Sequence, residues 1–398
     1  MFGMKPGLDS IGTVCSRLGD PQDALRVVHV AGTNGKGATC ALIESSLRAA
    51  GFSTGRYTSP HLVSLTERFM LNGAPVSEES LDEAYASLPD TEGLTYFELL
   101  TAAAFKLYRR KQVDWLVLET GLGGRLDATN IVKRPELCVI TRIGLDHCDW
   151  LGGTLREIAT EKGGIIKEGV PVVLGAMPDE ARDVLERIAK ERNAPCVYAP
   201  DAVKDTEIPS GFALGGKFNR ENALTSLAAL KVLGVGRDAI ERGFASVVWP
   251  GRFQKIVRDS RRFIVDGAHN PPAMRALVDS LKGDAMPVNA VICGFCGDKD
   301  VAANLALLRE VADRGLAVSI RNPRSLSAET TAKLMRESGF ADVRSCESLE
   351  EALSLAPDGT VVCGSLFLAG EVLQLLNAAP CGANVFTPNE TLSAAFHG

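Results

Sequence analysis

Apolar and polar positions alternate along this chain between short apolar runs and longer amphipathic stretches. Residues 27–31, 54–58, 114–118, 137–141 and 170–174 are short and largely apolar, without strict alternation, as strands buried on both faces are. Helical spacing marks residues 9–18, 78–87, 95–110, 154–162, 179–192 and 219–233. It also marks 38–50, where Leu42, Ile43, Leu47 and Ala50 share one face and Gly51 stops the helix. Strands alternating with helices every 25 to 35 residues predict a parallel sheet covered on both sides. At 246–252 (SVVWPGR) the composition turns over and a second series begins. Its strands are predicted at 263–265, 290–293, 316–320 and 360–363, and its helices begin near Pro272, Val301, Ser327 and Leu366. The reading is an α/β chain of two domains, 1–249 and 250–398, whose last 20 residues carry no pattern.

One interruption changes the picture. Between the run 27–31 and the helix after it lies Gly32-Thr33-Asn34-Gly35-Lys36-Gly37, too rich in glycine for helix or strand. Strand, glycine loop and helix together make a phosphate cradle. Glycines let backbone N–H groups converge, the helix N-terminus adds partial positive charge, and Lys36 can reach terminal phosphates. The match to G-x-x-x-x-G-K-[ST] is partial, because Gly37 and Ala38 follow Lys36 and the first hydroxyl is Thr39.

Bulk properties exclude more than they assign. A formal charge of −6 argues against a general nucleic-acid binder, so anionic substrates must be met locally. No apolar run approaches the roughly 18 residues of a membrane span. The opening MFGMKPGLDSIGTVCSRLGD lacks a basic end followed by an apolar stretch, which predicts no secretory signal. Ten scattered cysteines, among them Cys138, Cys293 and Cys363 in apolar runs, read as small core residues rather than a disulfide framework. Cys293-Gly-Phe-Cys296 is the single C-x-x-C, a redox pair, half a zinc site or chance spacing at a strand end.

Reactive groups in open parallel sheets gather at strand C-terminal ends. Lys36, Ser59, Glu119 and His147 all fall there in the first domain. A hydroxyl, a carboxylate and an imidazole near bound phosphates could hold magnesium, although imidazole is an unusual partner for so hard a cation. Lys162 lies beside Gly163 and Gly164, where backbones approach closely, or else is an exposed helical lysine. Asp266-Gly-Ala-His269-Asn-Pro ends the first strand of the second domain, as a site or as a turn. No N-K-x-D, G-x-S-x-G or H-E-x-x-H motif is present.

GLDSIGTVCSRLGDPQ, HVAGTNGKGA, TSPHL, LTYFE, LETGLGGRLDATN, GLDHCDWLG, EKGGIIK, PGRFQ, DGAHNP, GDKD and VCGSLFLAGEV follow one another over residues 8 to 376. In this set the chain resembles the folylpolyglutamate synthase/dihydrofolate synthase branch of the Mur ligase superfamily. The resemblance implies a P-loop, Mur-ligase-type ATP-binding domain with a parallel-rich sheet, and a smaller Rossmann-like α/β C-terminal domain. It implies ATP contacts from Gly32, Thr33, Asn34, Gly35, Lys36, Gly37, Ala38, Asn222, Arg252 and Asp266. Magnesium ligation falls to Ser59, Glu119 and His147, and to Lys162 as a carbamate holding a second ion. Thr95, Phe97 and Asp127 match pterin-contacting positions, and His269 and Ser365 positions near the incoming glutamate. Lys36, Lys162, Asp266 and His269 match the groups around the reacting atoms. Two departures stand out: Ala38 where Ser or Thr is usual, and Phe218-Asn219 where a His-Gln pair is common.

The implied reaction is ATP-dependent addition of L-glutamate to dihydropteroate and to folate tails through an acyl phosphate. The implied cofactors are ATP and two Mg2+, and the implied protein is a cytoplasmic monomer with no nucleic-acid or membrane partner. Three alternatives stay open: a ligase that only extends tails, a peptidoglycan-type amino-acid ligase, and a nucleotide-binding scaffold that has lost turnover.

Overall fold

The structure, a computed structural model, describes residues 7–89 and 91–376, so the patternless last 20 residues lie outside it. The chain forms two compact units. One takes in residues 1–61, 65–213 and 220–248; the other takes 62–64, 214–219 and 249–398.

The first unit is built on an eight-stranded sheet: β1 Val27–Ala31, β2 Thr54–Tyr57, β3 Phe69–Leu71, β4 Ala74–Pro75, β5 Trp115–Glu119, β6 Leu137–Ile140, β7 Val172–Leu174 and β8 Cys196–Tyr198. Their order is β4-β3-β2-β5-β1-β6-β7-β8. From β2 to β8 every pairing is parallel, and β3 and β4 add an antiparallel edge. β1 is central and all five of its residues are buried, which suits a strand of Val and Ala. One apolar cluster joins Val27, Leu116 and Leu118 to Leu100, Phe105 and Leu107 of the helix Tyr96–Arg110. Another joins Cys138, Ile140 and Val172 to the helices Leu155–Gly163 and Asp179–Glu191. Thr95 and Thr154 each start a helix through a capping box with the glutamate three residues on.

The expectation of a single apolar face on the helix after the glycine loop needs correction. Lys36–Ala49 is buried all round from Gly37 to Leu47, whereas Ala50 is exposed. The helix Arg237–Ser246, which the sequence pattern did not reveal, packs on its polar side. Ser45 Oγ donates to Gly243 O at 2.9 Å. Gly243 has room only for hydrogen, since a Cβ there would sit 2.6 Å from Ser46 N.

The second unit has six strands: β9 Gln254–Arg258, β10 Arg261–Val265, β11 Ala290–Cys293, β12 Arg314–Ala317, β13 Asp342–Ser345 and β14 Thr360–Cys363. Their order is β13-β12-β11-β14-β10-β9, parallel except for the antiparallel edge β9. The strand expected at 316–320 lies earlier, because Val318 and Ile320 stay in the core after the ladder has ended. Among the described residues, no helix is long and apolar enough to cross a membrane.

Candidate active site

Strand direction gathers the first unit's candidates on one edge. β2, β5, β1 and β6 are neighbours and parallel, so their C-terminal ends lie side by side. Ser59 follows β2, Glu119 ends β5, the glycine loop follows β1, and the segment leading to His147 follows β6. Glu119 pairs in register with Val30, one residue before the end of β1.

The loop is clamped from the β6 side. Thr141 Oγ1 donates to Asn34 O at 2.8 Å, Thr33 N to Arg142 O at 2.8 Å and Thr33 Oγ1 to Gly144 O at 3.0 Å. Gly35 caps the helix with φ 89°, a left-handed conformation, and a Cβ there would run into Asn222 Oδ1. Asn222 is therefore packed against the loop, buried on the helix Lys217–Val232.

Two lysines converge on one oxygen. Gly32 O accepts from Lys36 Nζ at 3.1 Å and from Lys162 Nζ at 2.9 Å. Lys36 also reaches Thr33 O at 3.3 Å. Lys162 is 5% exposed, which removes the reading as a solvated helical lysine. Burial, then the charge of Lys36, lowers its pKa from 10.5 to about 7, against the opposing pull of Asp146 and Asp127. Near neutral pH a large share of its amine is unprotonated, the form that can react with carbon dioxide.

Glu119 is buried, and its Oε2 accepts the Ser59 N–H at 3.0 Å. His147 caps a short helix at φ 51° with a half-exposed side chain, its Nε2 3.9 Å from Asp146 Oδ2. Among the described residues, no group of three or more His, Cys, Asp or Glu side chains gathers to hold a metal. A carboxylate bonded to the backbone of a serine at the neighbouring strand end nevertheless fits Mg2+, which takes one or two carboxylates and completes its shell with phosphate oxygens and water. Lys162 adds an oxygen donor only as a carbamate.

The three pterin-side candidates hold structural positions. Thr95 Oγ1 donates to Glu98 Oε2 at 2.8 Å in its capping box. Phe97 stacks at a tilt 6.1 Å from Tyr57 and lies so close to Gly121 that a Cβ there would be 2.6 Å away. Asp127 is buried and accepts four hydrogen bonds. Oδ2 takes Gly121 N at 3.0 Å and Leu122 N at 2.8 Å; Oδ1 takes Thr129 N at 3.0 Å and Thr129 Oγ1 at 2.5 Å. Burial raises its pKa, and those bonds oppose the rise.

In the second unit, β10, β14 and β11 bring their C-terminal ends together. Asp266 follows β10, buried, with Oδ2 accepting Phe253 N and Oδ1 accepting Ala268 N, both at 2.8 Å. Burial raises its pKa, and Arg252 opposes that most strongly. His269 Nδ1 meets Gly267 O at 2.8 Å; a carbonyl only accepts, so Nδ1 carries the hydrogen and Nε2 is the acceptor nitrogen. Ser365 is buried at the start of the helix Leu366–Leu375, accepting Phe367 N at 3.1 Å. Phe218 packs edge-on to Phe253 (6.3 Å), and Asn219 donates to Gly215 O at 2.7 Å. Cys293 and Cys363 lie in register with sulfurs 4.0 Å apart, and Cys296 is buried in the loop after β11. The C-x-x-C therefore lies within a packed core.

Sequence reasoning passed over His29 of β1 and Thr129 of the 3-10 turn Ala128–Ile131, whose side chains meet at 2.8 Å in the interior. The available signal was a lone imidazole in an otherwise Val-Ala strand.

A phosphate loop met by one half-buried and one buried lysine, a carboxylate one strand away and a second α/β unit define an ATP-dependent ligase of the Mur type. Residues 30–205 match the Mur ligase middle domain and residues 251–366 the Mur ligase glutamate ligase domain. The dihydrofolate synthase/folylpolyglutamate synthase of Escherichia coli is 38% identical over 397 residues, covering 94% of this chain and 92% of that protein. The structure of E. coli FolC in complex with DHPP and ADP superposes with a TM-score of 0.84 at 35% identity, covering 94% of each chain. A bifunctional folylpolyglutamate synthase/dihydrofolate synthase with Mn, AMPPNP and L-glutamate bound gives 0.81 at 33% identity, covering 94% of this chain and 95% of that one. The chain belongs to the dihydrofolate synthase/folylpolyglutamate synthase family.

Proposed function

We propose that this protein joins L-glutamate to dihydropteroate and also extends the glutamate tails of reduced folates, consuming ATP for each amide bond. The observation that carries the reading is the convergence of Lys36 and Lys162 on Gly32 O, in a glycine loop one strand from Glu119.

A carboxylate does not acylate an amine at useful rates, because oxide is so poor a leaving group. Transfer of the γ-phosphoryl group of ATP to the substrate carboxylate gives an acyl phosphate and ADP. The α-amino nitrogen of glutamate then attacks the acyl carbon, the C–O bond breaks, and phosphate leaves with its electrons. Lys36 and the loop N–H groups spread the negative charge on the transferring phosphoryl group. Ser59 and Glu119, with His147 and Lys162 as a carbamate, would hold magnesium, which when bound would supply further charge neutralisation there. Asn222 and Arg252 serve the nucleotide side, and Thr95, Phe97 and Asp127 the pterin side. His269 Nε2 accepts the proton shed by the attacking amine, and Asp266 and Ser365 hold the loops around it. We place the enzyme in the cytoplasm as a monomer, in keeping with the free thiols of the described cysteines.

The test is glutamate-dependent ADP release by purified protein, given dihydropteroate and tetrahydrofolate in separate reactions, with mass spectrometry of the products. Both substrates should gain one glutamate mass. Turnover with tetrahydrofolate alone would restrict the activity to tail extension, and no ADP release with either would leave a nucleotide-binding scaffold.

A further inference from the structure

His29 is the polar exception in β1, whose other residues are Val27, Val28, Val30 and Ala31. It is fully buried, and its Nδ1 has no hydrogen-bond partner among the described residues. A buried unpaired nitrogen opposes folding, so an apolar side chain would serve a purely structural position better. What the imidazole does contribute is a hydrogen bond from its other nitrogen.

That bond is the start of a chain. Nε2 lies 2.8 Å from Thr129 Oγ1, which lies 2.5 Å from Asp127 Oδ1. Three backbone N–H groups already point at the Asp127 carboxyl oxygens, which act as acceptors, and the Thr129 hydroxyl also donates to Oδ1. Thr129 has no second hydrogen, so His29 must donate through Nε2, which leaves Nδ1 as the unpaired lone pair. Burial, followed by the charge of Lys167, lowers the His29 pKa to about 3, so the ring is neutral near pH 7.

The far end of the chain is a bracket. Asp127 gathers the N–H groups of Gly121 and Leu122, and Gly121 lies under the Phe97 ring. On its other side the bracket is tied to the Lys162 helix, with Arg125 N donating to Glu161 O at 2.8 Å and Asn130 Nδ2 to Gly164 O at 3.2 Å. We propose that His29 is a positioning residue for the pteroyl substrate, acting through Thr129 to fix Asp127 and the bracket that Phe97 packs on. This rests on the reading of Phe97 and Asp127 as pterin-side residues.

The test compares full-length wild type with His29→Phe, His29→Gln, Thr129→Val, Thr129→Ser and the Phe/Val double variant. A glutamine amide can donate from nearly the place of Nε2. The KM for dihydropteroate should rise about tenfold in His29→Phe and in Thr129→Val, and no further in the double variant, while the KM for ATP moves less than about twofold. The Gln and Ser variants should stay within about threefold of wild type. Amide exchange at Gly121 and Leu122 should quicken in the Phe and Val variants only. A dihydropteroate KM unchanged in His29→Phe, a Gln variant as impaired as Phe, or both KM values rising together would each overturn the proposal. Should His29→Phe not fold, the Thr129 pair carries the same comparison. If wild type itself releases no ADP with any pteroyl acid, the substrate reading fails and the role of His29 with it. Wild-type turnover with unmoved variants sinks the role of His29 alone.

Discussion

Both units place their polar residues at the C-terminal edge of a parallel sheet, yet the two edges are equipped for different work. In the first, a glycine loop bends its backbone around two lysines, and a buried carboxylate stands one strand away. In the second, Asp266 and Ser365 accept hydrogen bonds from the backbone of their own loops, and His269 turns Nδ1 to Gly267 O. On the function we propose, one edge neutralises a transferring phosphoryl group and the other orients a nucleophile and accepts its proton. Architecture alone does not set the chemistry at a strand end. What sets it is whether the loop there leaves polar groups to meet a ligand or uses them itself.

The sharpest way to break that contrast is Glu119→Gln. It keeps the bond from Ser59 N but removes the charge, and kcat should fall about a thousandfold with little change in unfolding temperature. Initial rates with ATP, glutamate and dihydropteroate at saturating Mg2+ measure it. If His269→Gln costs as much, the division of labour between the edges is wrong.

Next in size is Lys162→Met, for which kcat should fall about a hundredfold, on the carbamate reading. Stability should move the other way. In the unfolded chain this lysine holds its proton up to an ordinary 10.5, in the folded protein only up to about 7. Between those values the unfolded state binds more protons, so wild-type stability climbs as pH rises through the window. The methionine variant lacks that slope. Urea unfolding in carbon dioxide-free buffer at pH 7, 8.5 and 10 should show its advantage over wild type shrinking as pH increases. Parallel curves would mean that the buried amine is not desolvated as the geometry implies.

These two positions also show what the sequence made legible. Glycine spacing before Lys36, and a glutamate closing an apolar run, are local signals, and strand ends in a parallel sheet share one edge. The positions of Glu119 and the loop could therefore be read without coordinates. Edge strands β8, β9 and β13 escaped because they are short and largely exposed, with little apolar pattern to detect. The helix Arg237–Ser246 escaped as well, and with it the reason Ser45 and Ser46 are buried. His29 and Thr129 are 100 residues apart and meet because β1 pairs with β5 and β6, the strands on either side of the 3-10 turn that carries Thr129. The capping roles of Thr95 and Asp127 were equally hidden, because a cap and a ligand contact draw on the same residue types.

On the second edge, His269→Gln should lower kcat by about thirtyfold, below the usual hundredfold or more for a general base because water can partly replace this proton acceptor. Acyl phosphate formation should continue. Positional isotope exchange within ATP, followed without glutamate, should run at the wild-type rate. Loss of that exchange would move His269 into the phosphoryl step and erase the difference between the edges.

The smallest expected effect lies in the first turn of the helix that follows the glycine loop. Ala38 is the third residue of the helix Lys36–Ala49 and is 3% exposed; beside it the Thr39 hydroxyl is buried and lacks a hydrogen-bond partner among the described residues. Thr39 therefore has a hydroxyl in the right turn of the helix but no protein group that employs it, and Ala38 has none to offer. Ala38→Ser adds a single oxygen, which the first turn tolerates because serine there can bond to a helix-end group or to phosphate. The KM for ATP should fall about threefold, with kcat within about twofold, since one hydroxyl contact adds binding without being specific to the transition state. Thr39→Val should raise that KM by a similar factor if Thr39 already fills the role, and then Ala38→Ser should recover it in the double variant. Isothermal titration with ADP reads both. An Ala38→Ser affinity equal to wild type, together with a silent Thr39→Val, would mean that Lys36 and the loop amides hold the phosphates without any hydroxyl.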